Sequence, residues 1–273
     1  MKKIWRHGEM RILLVFLLIL TAIFTYGEVF YPHSPEIPSG ASLEAPSLAH
    51  ILGTDNLGID IFAQISRGYF SCMFMGIMSA ILAFLAGGIL GTAAGYKGGT
   101  TDHVITFLIN VFLCIPQLPI LIVLGAFFGQ SIWNIIVIIS LFSWAPIAKQ
   151  IRAKTMSVKE RKYVVLAERY GGTAFYIIRT HMMPELLPLL LVNALGVIGK
   201  TIRQEAALAY LGLSDPLAKS WGLMINRASG FSGNYFTEYW KWWLLPPVFA
   251  LMITILLTRL LARTLENYRR EEE

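Results

Sequence analysis

Residues 73–95 read MFMGIMSAILAFLAGGILGTAAG, without a single charged side chain. A run of that length matches the roughly 20 apolar residues that carry an α-helix across a hydrocarbon core. In lipid such a run must be helical, because only a helix satisfies all of its backbone polar groups internally. Within the run, Ser79, Ala83, Gly87, Gly91 and Gly95 recur every fourth residue. On a helix they form one ridge of small side chains, where a second backbone can come close. The spacing predicts a helix crossing inside the chain, with a subunit interface as the alternative.

Similar runs lie on either side, at 12–31, 104–128, 132–148, 186–211 and 243–261. Together they predict an all-α membrane protein with six transmembrane helices. The composition agrees. The chain has 273 residues, 55% of them hydrophobic and only 15% charged, where a soluble domain carries about 25% charged residues. Its mean hydropathy is +0.59. These values exclude a soluble enzyme, a disordered chain and a secreted disulfide scaffold. Cys72 and Cys114 lie in or beside apolar runs and form no CxxC or Cys/His spacing, so inert thiols and no metal site are expected. The sulfur-rich Cys72-Met73-Phe74-Met75 is read as membrane filling in the same way.

The basic first residues followed by run 12–31 could suggest a signal peptide. The run is long for one, and Thr25-Tyr26-Gly27-Glu28 is no small-residue cleavage site, so a retained helix is expected. About 17 of the 23 basic residues fall before span one, between spans two and three, between four and five, and after six, and short cytoplasmic loops carry the basic excess. The expected layout is a cytoplasmic segment 1–11, a first span 12–31 and an extracytoplasmic, Pro-rich loop 32–72. A five-helix core 73–263 then includes the basic loop 149–185, and 264–273 form a cytoplasmic tail. This places a multi-pass protein in the cytoplasmic membrane. It also accounts for the net charge of +6 without nucleic acid. Only Gly129-Gln130-Ser131 separates spans three and four, which predicts a tight hairpin. Tyr239-Trp240-Lys241-Trp242-Trp243 reads as an interfacial anchor.

The loop 149–185 holds eight basic residues and the run Tyr163-Val-Val-Leu-Ala167-Glu168-Arg-Tyr-Gly171-Gly172, followed further on by His181 and Pro184. Residues 158–170 contain no Gly or Pro and read as a helix. Gly171-Gly172 permits a left-handed turn. A second short helix is expected over 173–182, with Pro184 stopping or kinking it. Two short helices at an angle make a protruding elbow. No GxxxxGK[ST], HExxH or GxSxG occurs; Gly91-Thr-Ala-Ala-Gly95-Tyr-Lys97 has the wrong spacing for a phosphate loop. The chain therefore reads as no enzyme, and any ATP it needs must be handled elsewhere.

This loop resembles the EAA-x3-G-x9-I-x-L-P motif of ABC importer permeases. Ala167, Gly171 and Pro184 fall at matching positions, while Val165 and Leu166 replace the first two residues and His181 stands at the Ile position. A His there is usual in the dipeptide/oligopeptide/nickel branch. Leu52-Gly-Thr-Asp55-Asn-Leu-Gly-Ile59-Asp60 is similar to that branch's LGTDxxGRD, with Ile59 in place of Arg. Glu205-Ala-Ala-Leu-Ala-Tyr-Leu211-Gly-Leu, followed by Trp221-Gly222, resembles EAxLSFLGLG…WG. The tail Thr258–Asn267 departs from the family's GDxLRDxLDP. The resemblance implies a type I importer permease fold and passage of dipeptides, oligopeptides or nickel-type chelates. It also implies a second, usually non-identical permease, two cytoplasmic ATP-binding subunits holding ATP and magnesium, and an extracytoplasmic substrate-binding protein. This chain itself would carry no cofactor. Tyr163, Ala167, Glu168, Gly171, Gly172, His181 and Pro184 become the expected ATPase-coupling residues.

Asn193, Lys200, Arg203 and Glu205 fall within span five, where ionisable groups are costly and face a cavity, a partner or the interface. They are candidates for a pathway that accepts a carboxylate-bearing substrate. Lys200 and Arg203 share a helix face; Glu205 lies about 200° round from Arg203 at 100° per residue. Asp55 and Asp60 read as capping and loop residues, or as contacts for a partner. A secondary transporter or channel that needs no ATPase is the alternative class. An intramembrane enzyme lacks a buried Ser/His/Asp set.

Overall fold

A computed structural model describes residues 8–129, 131–215 and 218–272. Lys2, Lys3 and Arg6, which helped to orient the sequence, and Gln130 of the expected hairpin lie outside the described residues. The chain runs α1 (Gly8–Val29), α2 (Ile61–Lys97), α3 (Gly99–Cys114), α4 (Gln117–Phe128), α5 (Ile132–Lys159), α6 (Lys162–Arg169), α7 (Ala174–Ile177), α8 (Met183–Tyr210), α9 (Trp221–Gly230), α10 (Trp240–Trp243) and α11 (Leu245–Glu272). A π-turn, Ile178–Met182, joins α7 to α8. Among the described residues there is no strand, only an isolated bridge between Thr54 and Asp60. Five helical stretches are long and apolar enough to cross a membrane, and the pair α3–α4 supplies a sixth crossing when counted as one.

That pair departs from the single span expected over 104–128. It bends by 85° at Ile115-Pro116, where Ile115 is extended. Proline disfavours helical geometry in the residue before it and lacks an amide donor, so one apolar run becomes two helices. Asn134 Nδ2 donates to Phe128 O at 2.6 Å and closes the connection from α4 to α5.

The α2 ridge meets α5 within the chain, as its spacing predicts. A Cβ added to Gly87 would lie 2.7 Å from Ile147, one on Gly91 2.7 Å from Ala148 O, and one on Gly95 2.7 Å from Arg152 O. Three successive turns of α2 thus touch α5 backbone to backbone. α8 packs on the other side of α2, and α11 on α8. At the α2 C-terminus, Lys159 Nζ donates to Tyr96 O at 2.7 Å, a cation placed on the negative end of a helix. Arg152 grips Asp102 at the start of α3, with Nη2 at 2.6 Å from Oδ2.

α2 begins at Ile61, earlier than the apolar run, because Asp60 caps it by accepting from Ala63 N at 2.9 Å. Asp60 Oδ2 also takes Tyr31 OH at 3.0 Å and His50 Nδ1 at 2.8 Å. Burial, opposed by the Ile51 amide and reinforced by the Asp60 charge, pushes the Tyr31 phenol up to about 12, so it remains a neutral donor. Asp55 accepts from the Leu57 and Ile59 amides and from Gln64 Nε2. Both aspartates therefore hold local structure. The Trp-rich stretch is only partly interfacial. Trp243 is buried and Trp242 lies against Gly53 of the loop before α2, while Trp240 is exposed.

Gly91→Leu should lower stability by about 1–3 kcal/mol through overpacking, read as thermal unfolding in detergent. Gly125→Ala in α4, where an added Cβ meets nothing within 4 Å, should move it by no more than about 1 kcal/mol. Equal effects would place the decisive contact elsewhere.

Candidate functional site

The elbow is built from the end of α5. The helix expected over 158–170 is two pieces, because α5 itself runs to Lys159 and the chain turns at Glu160-Arg161 before α6. α6 ends in a Schellman motif. Gly172 N donates to Ala167 O and Gly171 N to Glu168 O, both at 3.0 Å, with Gly171 at φ +83. That conformation suits glycine alone at little cost. Gly172 is needed for room, since a Cβ there would lie 2.8 Å from Ala167 O. Thr173 then caps α7 by accepting from Tyr176 N at 3.3 Å.

The second short helix expected over 173–182 does not stop at Pro184. It passes through the π-turn straight into α8, and Pro184, the second residue of α8, follows directly on that turn. The inner face of the elbow is Val158, Val164, Ile177, Met182 and Leu186, all fully buried, with Ala167 packed against them. Leu166, Tyr170 and Tyr176 are exposed, Tyr170 at 88%, while Phe175, also exposed, lines an apolar cavity of about 530 Å³ with Phe84, Gly88, Ile89 and Tyr96 of α2. His181 lies beside Tyr163 and edge-on to Tyr176, at ring distances of 6.1 and 5.5 Å. Tyr163, Ala167, Glu168, Gly171, Gly172 and His181 thus belong to one small structure.

Glu185 holds that structure in place and was not among the residues expected. Its Oε1 accepts from Arg161 Nη1 at 2.7 Å and from the Tyr163 hydroxyl, and Lys154 Nζ lies 3.7 Å from its Oε2. One carboxylate therefore ties α5, the α5–α6 link, α6 and α8 together. The available signal was a single acid next to Pro184 at the end of a strongly basic loop.

The four residues singled out in span five separate. Asn193 Nδ2 donates to Gln150 Oε1 at 3.0 Å, linking α8 to α5. Lys200 and Arg203 line a cavity of about 210 Å³ with Gly196, Gly199, Ile255 and Arg259. A second cavity of about 310 Å³ adjoins it and is lined by Ser143, Asn193, Lys200 and Glu266, among others. Glu205 points elsewhere. It is fully buried, accepting from Ser214 Oγ at 3.5 Å and facing Cys72 Sγ at 3.8 Å. Arg259 was missed, although an arginine inside run 243–261 is itself the signal. The structure also brings His33, His50 and Asp60 together, with one ligating atom of each within 4.8 Å of the others. Sequence spacing gave no hint of this group. Its atoms are engaged in the α2 cap and in a 2.9 Å contact between His33 Nε2 and Ala49 O.

The family described as "Binding-protein-dependent transport system inner membrane component" matches residues 87–270, which include the α2–α5 crossing, the elbow and the α8–α11 cavities. The chain belongs to that family. It is 32% identical over 246 residues to the dipeptide transport system permease protein DppC of Bacillus subtilis, covering 89% of this chain and 74% of that one. Its fold is similar to a chain from a structure of inward-facing conformations of the MetNI methionine ABC transporter. The TM-score is 0.55 at 18% identity, over 74% of this chain and 96% of the other. The expected class therefore holds: a permease of an ABC importer with the type I fold, multi-pass in the membrane. It is no enzyme, and the ATPase of such a system is a separate subunit. ATPase and substrate-binding partners follow from the family.

Within this permease, Glu185→Ala should loosen α6. The contacts are partly exposed, so the loss should be about 1 kcal/mol, seen as roughly fivefold faster amide exchange over 162–170. Burial first, then the bond to Glu185 and its charge, raise the Tyr163 phenol above its ordinary 10. A raised value means the neutral, donating form is intact below pH 10 and is lost only as pH climbs through the raised value. A Tyr163→Phe difference titration should show a phenolate midpoint above 10 that moves back toward 10 in Glu185→Ala. Unchanged exchange would mean that the apolar inner face alone seats α6.

Proposed function

We propose that this permease forms half of the translocation pathway for dipeptides or oligopeptides that a binding protein delivers from outside, and that its elbow docks in a cleft of a cytoplasmic ATPase subunit. The observation that carries the docking is the elbow's outer face. Leu166, Tyr170 and Tyr176 stand exposed on a loop otherwise rich in charge. Exposed apolar surface of that kind, rimmed by polar groups, marks a protein contact. The peptide substrate is supported by the similarity to DppC; nickel-type chelates remain the other class implied by the motifs.

The elbow side carries the basic excess, which supports a cytoplasmic elbow and, with six crossings, cytoplasmic termini. The second permease is a homologous, non-identical chain. ATP and magnesium are held by the paired ATPase subunits and not by this one. ATP-driven closure of that pair draws the two elbows together and switches the pathway between inward- and outward-facing states. Tyr163, Ala167, Glu168, Gly171, Gly172, His181 and Pro184 shape and seat the elbow. Asn193, Lys200 and Arg203 face open cavities, as pathway residues must.

Gly171→Ala tests the docking. An added Cβ at Gly171 meets nothing within 4 Å, so the substitution acts only through the left-handed backbone, at about 1–2 kcal/mol. Co-purification with the ATPase should weaken about tenfold, and Tyr170→Ala should do the same by removing contact area. Uptake that persists in both variants, or in vesicles without ATP, would favour a transporter that works without an ATPase.

A further inference from the structure

We propose that Lys200, Arg203 and Arg259 form one carboxylate-recognition site deep in the membrane, which favours substrates with a free carboxylate. The proposal rests on the importer reading above and names a chemical requirement of the substrate.

Sequence spacing alone joins only Lys200 and Arg203. The third cation comes from α11, which packs on α8. A Cβ on Gly199 would lie 2.8 Å from Thr258 Oγ1, and Arg259 is the next residue. The glycine leaves room for the Thr258 side chain against α8, and the next residue, Arg259, lines the cavity with Lys200 and Arg203. Gly196, one turn away, leaves that cavity open, with nothing within 4 Å of a Cβ placed on it.

At 1.5 Å per residue, Lys200 lies about 15 Å from the Tyr210 end of α8 and Arg259 about 21 Å from the Leu245 end of α11. Arg203 lies about 11 Å from the same end of α8, and a hydrocarbon core is about 30 Å thick, so the three cations fall within the apolar length of their helices, with Arg203 toward one end and Arg259 toward the other. Among the described residues none of the three takes part in an ion pair. Glu266 is the one carboxylate lining either cavity among the described residues, and it borders the second cavity only. Unpaired cations at this depth face a water-filled path or an anionic partner and not lipid. Two guanidinium groups offer the planar donor fork that fits a carboxylate, and the lysine adds a point charge. A peptide brings such a group at its C-terminus.

The test uses the complete transporter in proteoliposomes, with its partner permease, ATPase subunits and binding protein. Uptake of dialanine and of dialanine amide is measured, each at a concentration that saturates the binding protein. In the wild type, dialanine should be favoured. Arg259→Gln and Lys200→Gln should each lower the dialanine-to-amide uptake ratio about tenfold, as loss of one charge-assisted hydrogen bond does. Arg259→Lys should keep most of the ratio. An unchanged ratio with robust uptake of both compounds would overturn this site and leave the importer reading standing. So would loss of the partner permease from the purified variant complexes, which would show that the cations pair with a carboxylate of that subunit. If the wild type accumulated neither compound with ATP, the importer reading and this inference would fall together.

Discussion

The contact on which the rest of the molecule depends is the backbone approach of α2 and α5 at Gly87, Gly91 and Gly95. Lipid tails are as apolar as leucine, so burying apolar side chains gives helices in a membrane no reason to associate. Close van der Waals packing of small residues does. A glycine every fourth residue keeps that packing continuous for more than two turns, which fixes rotation and register as well as distance. The direction and height of the α5 C-terminus follow from it. That end continues as a helix to Lys159, well past its apolar run, and is anchored to Tyr96 O at the close of α2. The elbow is therefore mounted on a pair of helices held backbone to backbone.

From there the connection to the membrane interior is mechanical. Glu185 clamps the α5–α6 link to the start of α8, and the π-turn carries the helical path from Ala174 to Tyr210 almost without a break. Lys200 and Arg203 lie on that same helix. A displacement of α7 therefore reaches the cavity through a helix, while one applied at Tyr170 must first cross the Gly171-Gly172-Thr173 turn. π-turns recur inside helices at functional sites, and this one sits where a lever would need a local change of pitch. In the proposed cycle, this is how a nucleotide bound by another subunit biases the depth at which a substrate carboxylate is met.

Membrane character, the small-residue ridge and the elbow were legible because each rests on local chemistry repeated at a fixed spacing. Gly171 and Gly172 announced their turn for the same reason. The break at Pro116 was legible in principle, yet uninterrupted hydropathy outweighed the proline; hydropathy reports the solvent of a segment and says little about its straightness. Pro184 was over-read in the opposite sense, since the helical path continues past it by way of the π-turn just before it. Glu185 and Arg259 were hidden for a different reason. Their roles depend on partners that are distant in sequence, such as Lys154 or Lys200, and no local pattern encodes those meetings. The cluster of His33, His50 and Asp60 was invisible on the same grounds.

Glu205 and the trio Lys200, Arg203 and Arg259 show two ways for one bundle to carry polar groups at depth. Glu205 is enclosed by Ser214 and Cys72 within the packed outer end, where every neighbour is supplied by the chain itself. A carboxylate with its hydrogen-bond partners in place is a structural element, and it tethers the segment after α8 to α2. The three cations have no such enclosure. They converge on open space beside two glycines, and among the described residues none of them takes part in an ion pair. Enclosure is compatible with a fixed fold, and open space with a ligand that comes and goes. The difference lies in packing and not in residue type, which is why a sequence reading could group these charges together and only the arrangement of α8 against α2 and α11 could divide them.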